Sequence, residues 1–203
     1  MEPFISDKEK KMLLNEGLKL WIENPIQAVT EKRYFNSTIM SKVRAWRHNE
    51  YDKIILMDAD VFALKNNQEL FHRSDCNLCC QTGVESPING GILIIRPSKK
   101  IYRELIQLIL WPNFSLEQGW RQHGKFEWKG KTRNWDFNCA GGEQGLLFYY
   151  FHLLKDQLKI ESFQNSFLHI GRGNKKWETI DAFESKLRAV GMYDAIKNEK
   201  VIK

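Results

Sequence analysis

Two carboxylates one residue apart, Asp58 and Asp60, end the apolar run Ile54-Ile55-Leu56-Met57. Oxygen ligands held that closely suit a hard divalent cation, and such a cation suits a phosphate or diphosphate. The carboxyl end of a strand is also where open α/β sheets bind their ligands. With a metal in place, the pair could neutralise a diphosphate and stabilise it as a leaving group. Taken alone, Asp-x-Asp after a strand reads equally well as a strand-ending turn.

Three further groups could complete such a site. Asn89-Gly90-Gly91 joins an amide that donates to and accepts from sugar hydroxyls with glycines that let backbone approach a ligand. By itself it also reads as a hairpin-like turn. Gly142-Glu143-Gln144-Gly145 sets a carboxylate and an amide at a helix start, a position that favours an acid in any case. His169 offers an imidazole that could complete a carboxylate metal site, although a single histidine closing a strand is often structural. The Gly171, Arg172, Gly173, Lys175, Lys176 stretch behind it suits a diphosphate.

These residues need elements to hold them. Ile54–Met57 reads as a strand buried on both faces, as in a parallel sheet. Ser6-Asp7-Lys8-Glu9 has the form of a capping box, with Leu13, Leu14, Leu18 and Trp21 following at helical spacing; that helix is expected to stop near Asn24-Pro25. A second helical stretch runs through Met40, Val43 and Trp46, and a short one through Leu70-Phe71. Leu78-Cys79-Cys80, Ile92-Leu93-Ile94-Ile95 and Phe167-Leu168-His169-Ile170 read as strands, and Pro97-Ser98 opens a helix carrying Tyr102, Leu105, Ile106, Ile109 and Leu110. Residues 112–141 lack clean periodicity and contain or adjoin Trp111, Trp120, Trp128 and Trp135; these could form an acceptor surface or pack a lid. A last amphipathic helix spans Ile180 to Val190 before a lysine-rich tail. Strands alternating with helices, without repeats, give the class α/β.

A length of 203 residues fits one domain with a sizeable core. The net charge of +6 is spread without a long basic run, which reads as a generally basic surface. No nucleic-acid motif or arginine-rich cluster is present, so nucleic-acid binding is not expected. No apolar run is long enough to span a bilayer. Met1 to Lys8 carries no signal-peptide core, so the cytoplasm is the expected compartment, with the Golgi open should an anchor precede Met1. Cys76, Cys79, Cys80 and Cys139 lack the second pair a zinc site wants, and read as small, buried, reduced thiols.

Taken together, Tyr51 to Asp60, Asn89 to Ser98, Gly142 to Gly145 and His169 to Trp177 resemble, in this order, the glycogenin-like glycosyltransferases of family 8. Met40 to Trp46 is similar to the segment that precedes their Asp-x-Asp strand, and the similarity covers roughly residues 34–180. The resemblance implies a GT-A fold, Rossmann-like with a mostly parallel sheet flanked by helices. It implies transfer of a hexosyl group from a UDP-sugar with retention at the anomeric carbon. Asp58, Asp60 and His169 would hold Mn²⁺, Lys42 and Lys175 would face the diphosphate, and Gly171 or Gly173 would allow close backbone approach. Asn89 and Gly90 would meet the donor sugar, and Glu143 and Gln144 would lie beside its reacting carbon. The acceptor, whether carbohydrate, protein or lipid, is left open, and a homodimer is compatible.

The resemblance has departures. The family's opening strand and glycine-containing turn, which hold uracil and ribose, have no counterpart, so the expected organisation is a helical segment over 1–33, a transferase-like domain over 34–190 and a tail over 191–203. The family's Asp-Gln-Gly is Glu143-Gln144-Gly145 here, and its Lys-Pro-Trp ending is Lys175-Lys176-Trp177. One extra methylene moves a carboxylate by about 1 Å, which can cost about a hundredfold in rate. A truncated or non-catalytic relative is therefore the alternative. The hydrophobic-Asp-x-Asp pattern is also similar to that of haloacid-dehalogenase-like phosphatases, but no late acidic pair follows to complete their metal site.

Overall fold

The computed structural model describes residues 5–21, 23, 24, 26, 39–58, 61–63, 67–72, 76–83, 86–111, 113–160 and 167–169. The expected final helix and lysine-rich tail lie outside them. The architecture is mixed α/β, as the alternation of elements requires. Its main sheet has the order β1 (Ile54–Met57), β4 (Ile92–Ile95), β3 (Leu78–Cys80), β9 (Leu158–Ile160). β1, β3 and β9 share one direction and β4 runs against them. The expectation of a mostly parallel sheet thus holds for strand direction but not for pairing. Inserting β4 between β1 and β3 makes two ladders antiparallel and leaves only β3 with β9 parallel.

The strand buried on both faces is β4 rather than β1. All four β4 residues are buried: sheet neighbours flank both its edges, and each of its faces packs into a hydrophobic cluster. β1 pairs on one side among the described residues and is half-buried, with Met57 exposed. Alternate β4 side chains feed different cores, as the two-residue strand period demands. Leu93 and Ile95 join the main core with Leu78 and Cys80, whereas Ile92 and Ile94 pack with Val61, Leu70 and Cys79. A short ladder joins β2 (Val61–Ala63) to β10 (Phe167–His169).

α1 (Asp7–Asn15) carries the capping box: the Glu9 amide donates to the Ser6 hydroxyl and the Ser6 amide to the Glu9 carboxylate. It ends well before the expected stop. Gly17 turns into the left-handed region at φ 79°, a conformation glycine adopts without cost, and Leu14, Leu18 and Trp21 stay exposed. α2 (Ser41–Arg47) is a tight 3₁₀ turn that buries Val43 and Trp46 and packs on α4 (Lys99–Leu110). Ser98 caps α4, its hydroxyl accepting from the Ile101 amide. The short α3 is Glu69–His72, and α5 (Glu143–Phe148) widens directly into the π turn α6 (Tyr149–Leu154).

Residues 113–141 fold as two hairpins, β5 (Phe114–Ser115) with β6 (Gly119–Trp120) and β7 (Phe126–Trp128) with β8 (Lys131–Arg133). Trp120 and Trp135 are fully buried; Trp135 packs against Phe114, Phe126, Phe137 and Phe148. These two tryptophans belong to packing, whereas Trp111 is 67% exposed. The expectation of four reduced cysteines is corrected for one pair. Cys76 and Cys79 are joined in a disulfide, their Cα atoms 6.1 Å apart and so within bridging reach. Cys80 points to the opposite face, where burial pushes its thiol pKa far up.

Candidate functional site

The site begins where β1 ends. The Asp58 amide donates to the Gly91 carbonyl at 2.9 Å, extending the β1–β4 ladder by one step, and this sets Asp58 beside the Asn89–Gly91 turn. The Val61 amide then donates to the Asp58 carbonyl at 3.0 Å, which ties the start of β2 to the end of β1. In the β2–β10 ladder His169 stands opposite Val61, one residue from Asp60. Backbone register therefore brings the position of His169 beside the residue that follows the Asp-x-Asp motif in the chain. The His169 side chain lies outside the described residues, as do Asp60, Gly171 and Lys175 in full. Among the described residues no three metal-ligating side chains gather.

α2 supplies the cation. The Lys42 ammonium sits 2.6 Å from Asp58 Oδ1, donates to the Gly90 carbonyl at 3.0 Å, and lies 3.5 Å from Glu143 Oε1. Lys42 was expected to face a diphosphate; here it bridges two carboxylates and a backbone oxygen, and so marks where negative charge converges. Its helix is fixed from beneath by Trp46, whose ring stacks on Phe151 at 5.6 Å; the Trp46 carbonyl accepts from the Ser98 amide.

Glu143 is 2% exposed, and its Oε2 has no hydrogen-bond partner among the described residues. Burial pushes its carboxyl pKa up; the Lys42 ammonium opposes this and the Asp58 charge adds to it. Two glycines make this placement possible. A Cβ on Gly90 would lie 2.3 Å from Glu143 Oε1 and 3.4 Å from Gln144 Cγ, so only glycine lets the turn before β4 rest on the start of α5. A Cβ on Gly145 would lie 1.7 Å from the Ala140 carbonyl oxygen, so α5 could not approach that segment with any side chain there.

Asn89 donates its amide to the Gln81 carbonyl at 2.7 Å, and its side-chain oxygen accepts from the Gly91 amide, also at 2.7 Å. This local bond is the Asx turn that asparagine favours. Of the site residues expected from sequence, the structure thus gathers Lys42, Asp58, Asn89, Gly90, Glu143 and Gln144. Sequence reasoning missed Ser86. Its hydroxyl lies 2.7 Å from Gln144 Oε1 and bonds the Ile88 carbonyl. The available signal was a hydroxyl placed just before the Pro87-Ile88-Asn89 turn. A carboxyl, a lysine and amides gathered in this way have the chemistry to hold a neutral, hydroxyl-rich group beside an anionic one.

No protein-family model matches the chain. It is similar to glycogenin-1 of Caenorhabditis elegans, 28% identical over 142 residues that make up 70% of this chain and 25% of that protein. It is also similar to UDP-glucuronate:xylan alpha-glucuronosyltransferase 2 of Arabidopsis thaliana, 40% identical over 78 residues, which are 38% of this chain and 12% of that one. Among solved structures it is similar to the glycosyltransferase GlyE of Streptococcus pneumoniae TIGR4, with a TM-score of 0.45 and 17% identity over 68% of this chain and 38% of that chain. The chain spans about a quarter of the length of the glycogenins it matches.

Proposed function

We propose, starting from a chain that belongs with the glycogenin-like glycosyltransferases of family 8, that it transfers a hexosyl group from a UDP-sugar to an acceptor, with retention and with Mn²⁺. One observation carries the reading: Lys42, Asp58, Gly90 and Glu143, scattered along the chain, meet within hydrogen-bonding reach of a single ammonium group.

The residues fit a divalent cation. The Asp58 carboxylate already faces a cation, and register sets the position of His169 one residue from Asp60. Asp58, Asp60 and His169 would hold manganese, for which mixed carboxylate and imidazole ligands are suitable. Bound there, the metal would supply Lewis-acid neutralisation of the diphosphate leaving group.

The chain's own groups do the rest. Lys42, with Lys175, would turn to the diphosphate, and Gly171 would admit it close to backbone. The Asn89 side-chain NH₂ would donate to a sugar hydroxyl, since the amide oxygen is engaged within its turn. Gly90 lets its turn lie directly against Glu143 and Gln144, so that all three would face the donor sugar together. The ionised Glu143 carboxylate would stabilise positive charge developing at the anomeric carbon, and its protonated form would donate to a sugar hydroxyl. The Glu143 pKa, pushed up by burial, places the exchange between these forms higher in pH than for an ordinary glutamate.

The test is thermal unfolding with and without Mn²⁺ and UDP-glucose, together with release of UDP. Stabilisation by both ligands, lost in Asp58→Ala, is the expected result; a wild-type protein indifferent to both would sink the reading. A non-catalytic relative is the second reading, favoured by Glu143 standing where the family carries aspartate. Measurable UDP release rules that version out.

A further inference from the structure

We propose that Ser86 is a positioning residue, which clamps the side-chain amide of Gln144 so that one amide N–H and the amide oxygen face neighbouring hydroxyls of the donor sugar. The proposal rests on the transferase reading above and adds to it a residue outside every motif that suggested that reading.

Proton accounting supplies the reason. Ser86 and Glu143 are the buried polar side chains among the described residues, and both belong to this site. The Ser86 hydroxyl has one proton and two oxygen neighbours, the Ile88 carbonyl and Gln144 Oε1 at 2.7 Å. A backbone carbonyl can only accept, so the Ser86 proton belongs to Ile88. The Ser86 oxygen must then accept from Gln144, which needs the NH₂ end of that amide turned toward it. The two ends of a glutamine amide are nearly equal in size, and a half-turn about the last bond exchanges them.

Among the described residues Ser86 is the only partner of the Gln144 amide. In this orientation one amide hydrogen goes to Ser86. The second hydrogen and the oxygen lone pairs stay available side by side. A donor next to an acceptor matches two adjacent hydroxyls, each of which can donate and accept. An unclamped amide would present either end and would lose the distinction.

The clamp is itself rigid. Pro87 confines the Ser86 backbone to extended conformations, and the Asn89 amide bonded to Gln81 anchors the turn from the far side. Gly83 leaves the hydroxyl room, since a Cβ there would lie 2.9 Å from Ser86 Oγ. The Gln144 stem passes Gly90 close enough that a Cβ on Gly90 would touch Gln144 Cγ at 3.4 Å, so the side chain leaves α5 beside the glycine proposed to meet the sugar.

The experiment is a double-mutant cycle on Mn²⁺-dependent hydrolysis of UDP-glucose, with Ser86→Ala, Gln144→Ala and the pair, and with Ser86→Thr as the variant that keeps a hydroxyl. Ser86→Ala is expected to lower kcat roughly tenfold to a hundredfold, the scale of a misplaced group, while Ser86→Thr keeps most of it. In the Gln144→Ala background Ser86→Ala should cost nothing further. An equal loss in both backgrounds overturns the proposal, because a merely structural serine would act whether or not Gln144 is present.

A second readout is independent of turnover. The side-chain NH₂ signals of Gln144, assigned by their disappearance in Gln144→Ala, should show one hydrogen-bonded proton in the wild type, and its shift should be lost in Ser86→Ala. Unmoved Gln144 signals overturn the clamp even in an active enzyme. A wild type without UDP release sinks the transferase reading instead, and the amide signals then decide the clamp alone.

Discussion

Adding one methyl group at Gly90 tests how the site is built. In Gly90→Ala the new Cβ would stand 2.3 Å from Glu143 Oε1, and the Glu143 Cδ behind it is 3.3 Å away. To reach ordinary contact distance the carboxylate must retreat by about 1 Å. That side chain is almost wholly buried, so the retreat runs into packed core rather than into solvent. Overpacking of this kind costs about 1–3 kcal/mol. For a chain of this size, that corresponds to a fall in Tm of about 2–12 °C. With Glu143 in its proposed role beside the reacting carbon, a shift of about 1 Å should also lower UDP release by about a hundredfold. The assay pairs thermal unfolding with UDP release, in the wild type and in a Glu143→Ala background. With the glutamate truncated the Cβ has room, and the stability cost of Gly90→Ala should disappear. The same loss of Tm in both backgrounds would show that the glycine is needed for some other reason and would refute the reasoning.

Glu143→Gln should change how stability depends on pH. Because burial raises the folded pKa above the ordinary 4.5, the fold favours the protonated carboxyl; that contribution is complete below pH 4.5 and is lost as pH rises through the folded value. Melting curves from pH 4.5 upward should therefore show the wild type falling relative to Glu143→Gln, and parallel curves would contradict the placement of that carboxyl. Trp135→Ala, which empties a fully buried site and removes the bond from Trp135 Nε1 to the Gly124 carbonyl, should cost about 3–5 kcal/mol in urea unfolding. Trp111→Ala, at an exposed position, should stay within about 0.5 kcal/mol. Thiol titration of the oxidised, denatured chain should count two groups, Cys80 and Cys139, rising to four after reduction; four before reduction would remove the Cys76–Cys79 bridge.

The parts of this fold that could be read from the sequence are those set by neighbours in the chain. The capping box at Ser6 and Glu9, the strand at Ile92–Ile95 and the helix opened by Ser98 all depend on residues within a turn or two of one another, and each formed as read. Where local signals compete, the reading failed. Leucines at helical spacing suggested that α1 would continue, but the left-handed turn at Gly17 stopped it, since no buried face repaid further turns. Sheet pairing was out of reach for a related reason. The apolar run of β1 looks like a central strand, and only the placement of β4, reversed between β1 and β3, decides which of the two is covered on both sides.

The candidate site divides in the same way. Residue types named its members, because carboxylates, amides and glycines at turn positions are visible one by one. Their contacts were not visible, since Lys42 reaches Gly90 across 48 positions and Glu143 across 101. No periodicity carries information over such separations; packing alone does. Ser86 shows the consequence most sharply, for it meets Gln144 across 58 positions and belongs to no motif, yet its one proton decides which end of that amide the site presents. A serine before a proline would ordinarily be read as a turn residue and left there. What distinguishes Ser86 is burial beside a second polar group whose hydrogen bonds must be balanced, and burial of that kind becomes legible only after Gly90 has let the turn before β4 rest on the start of α5.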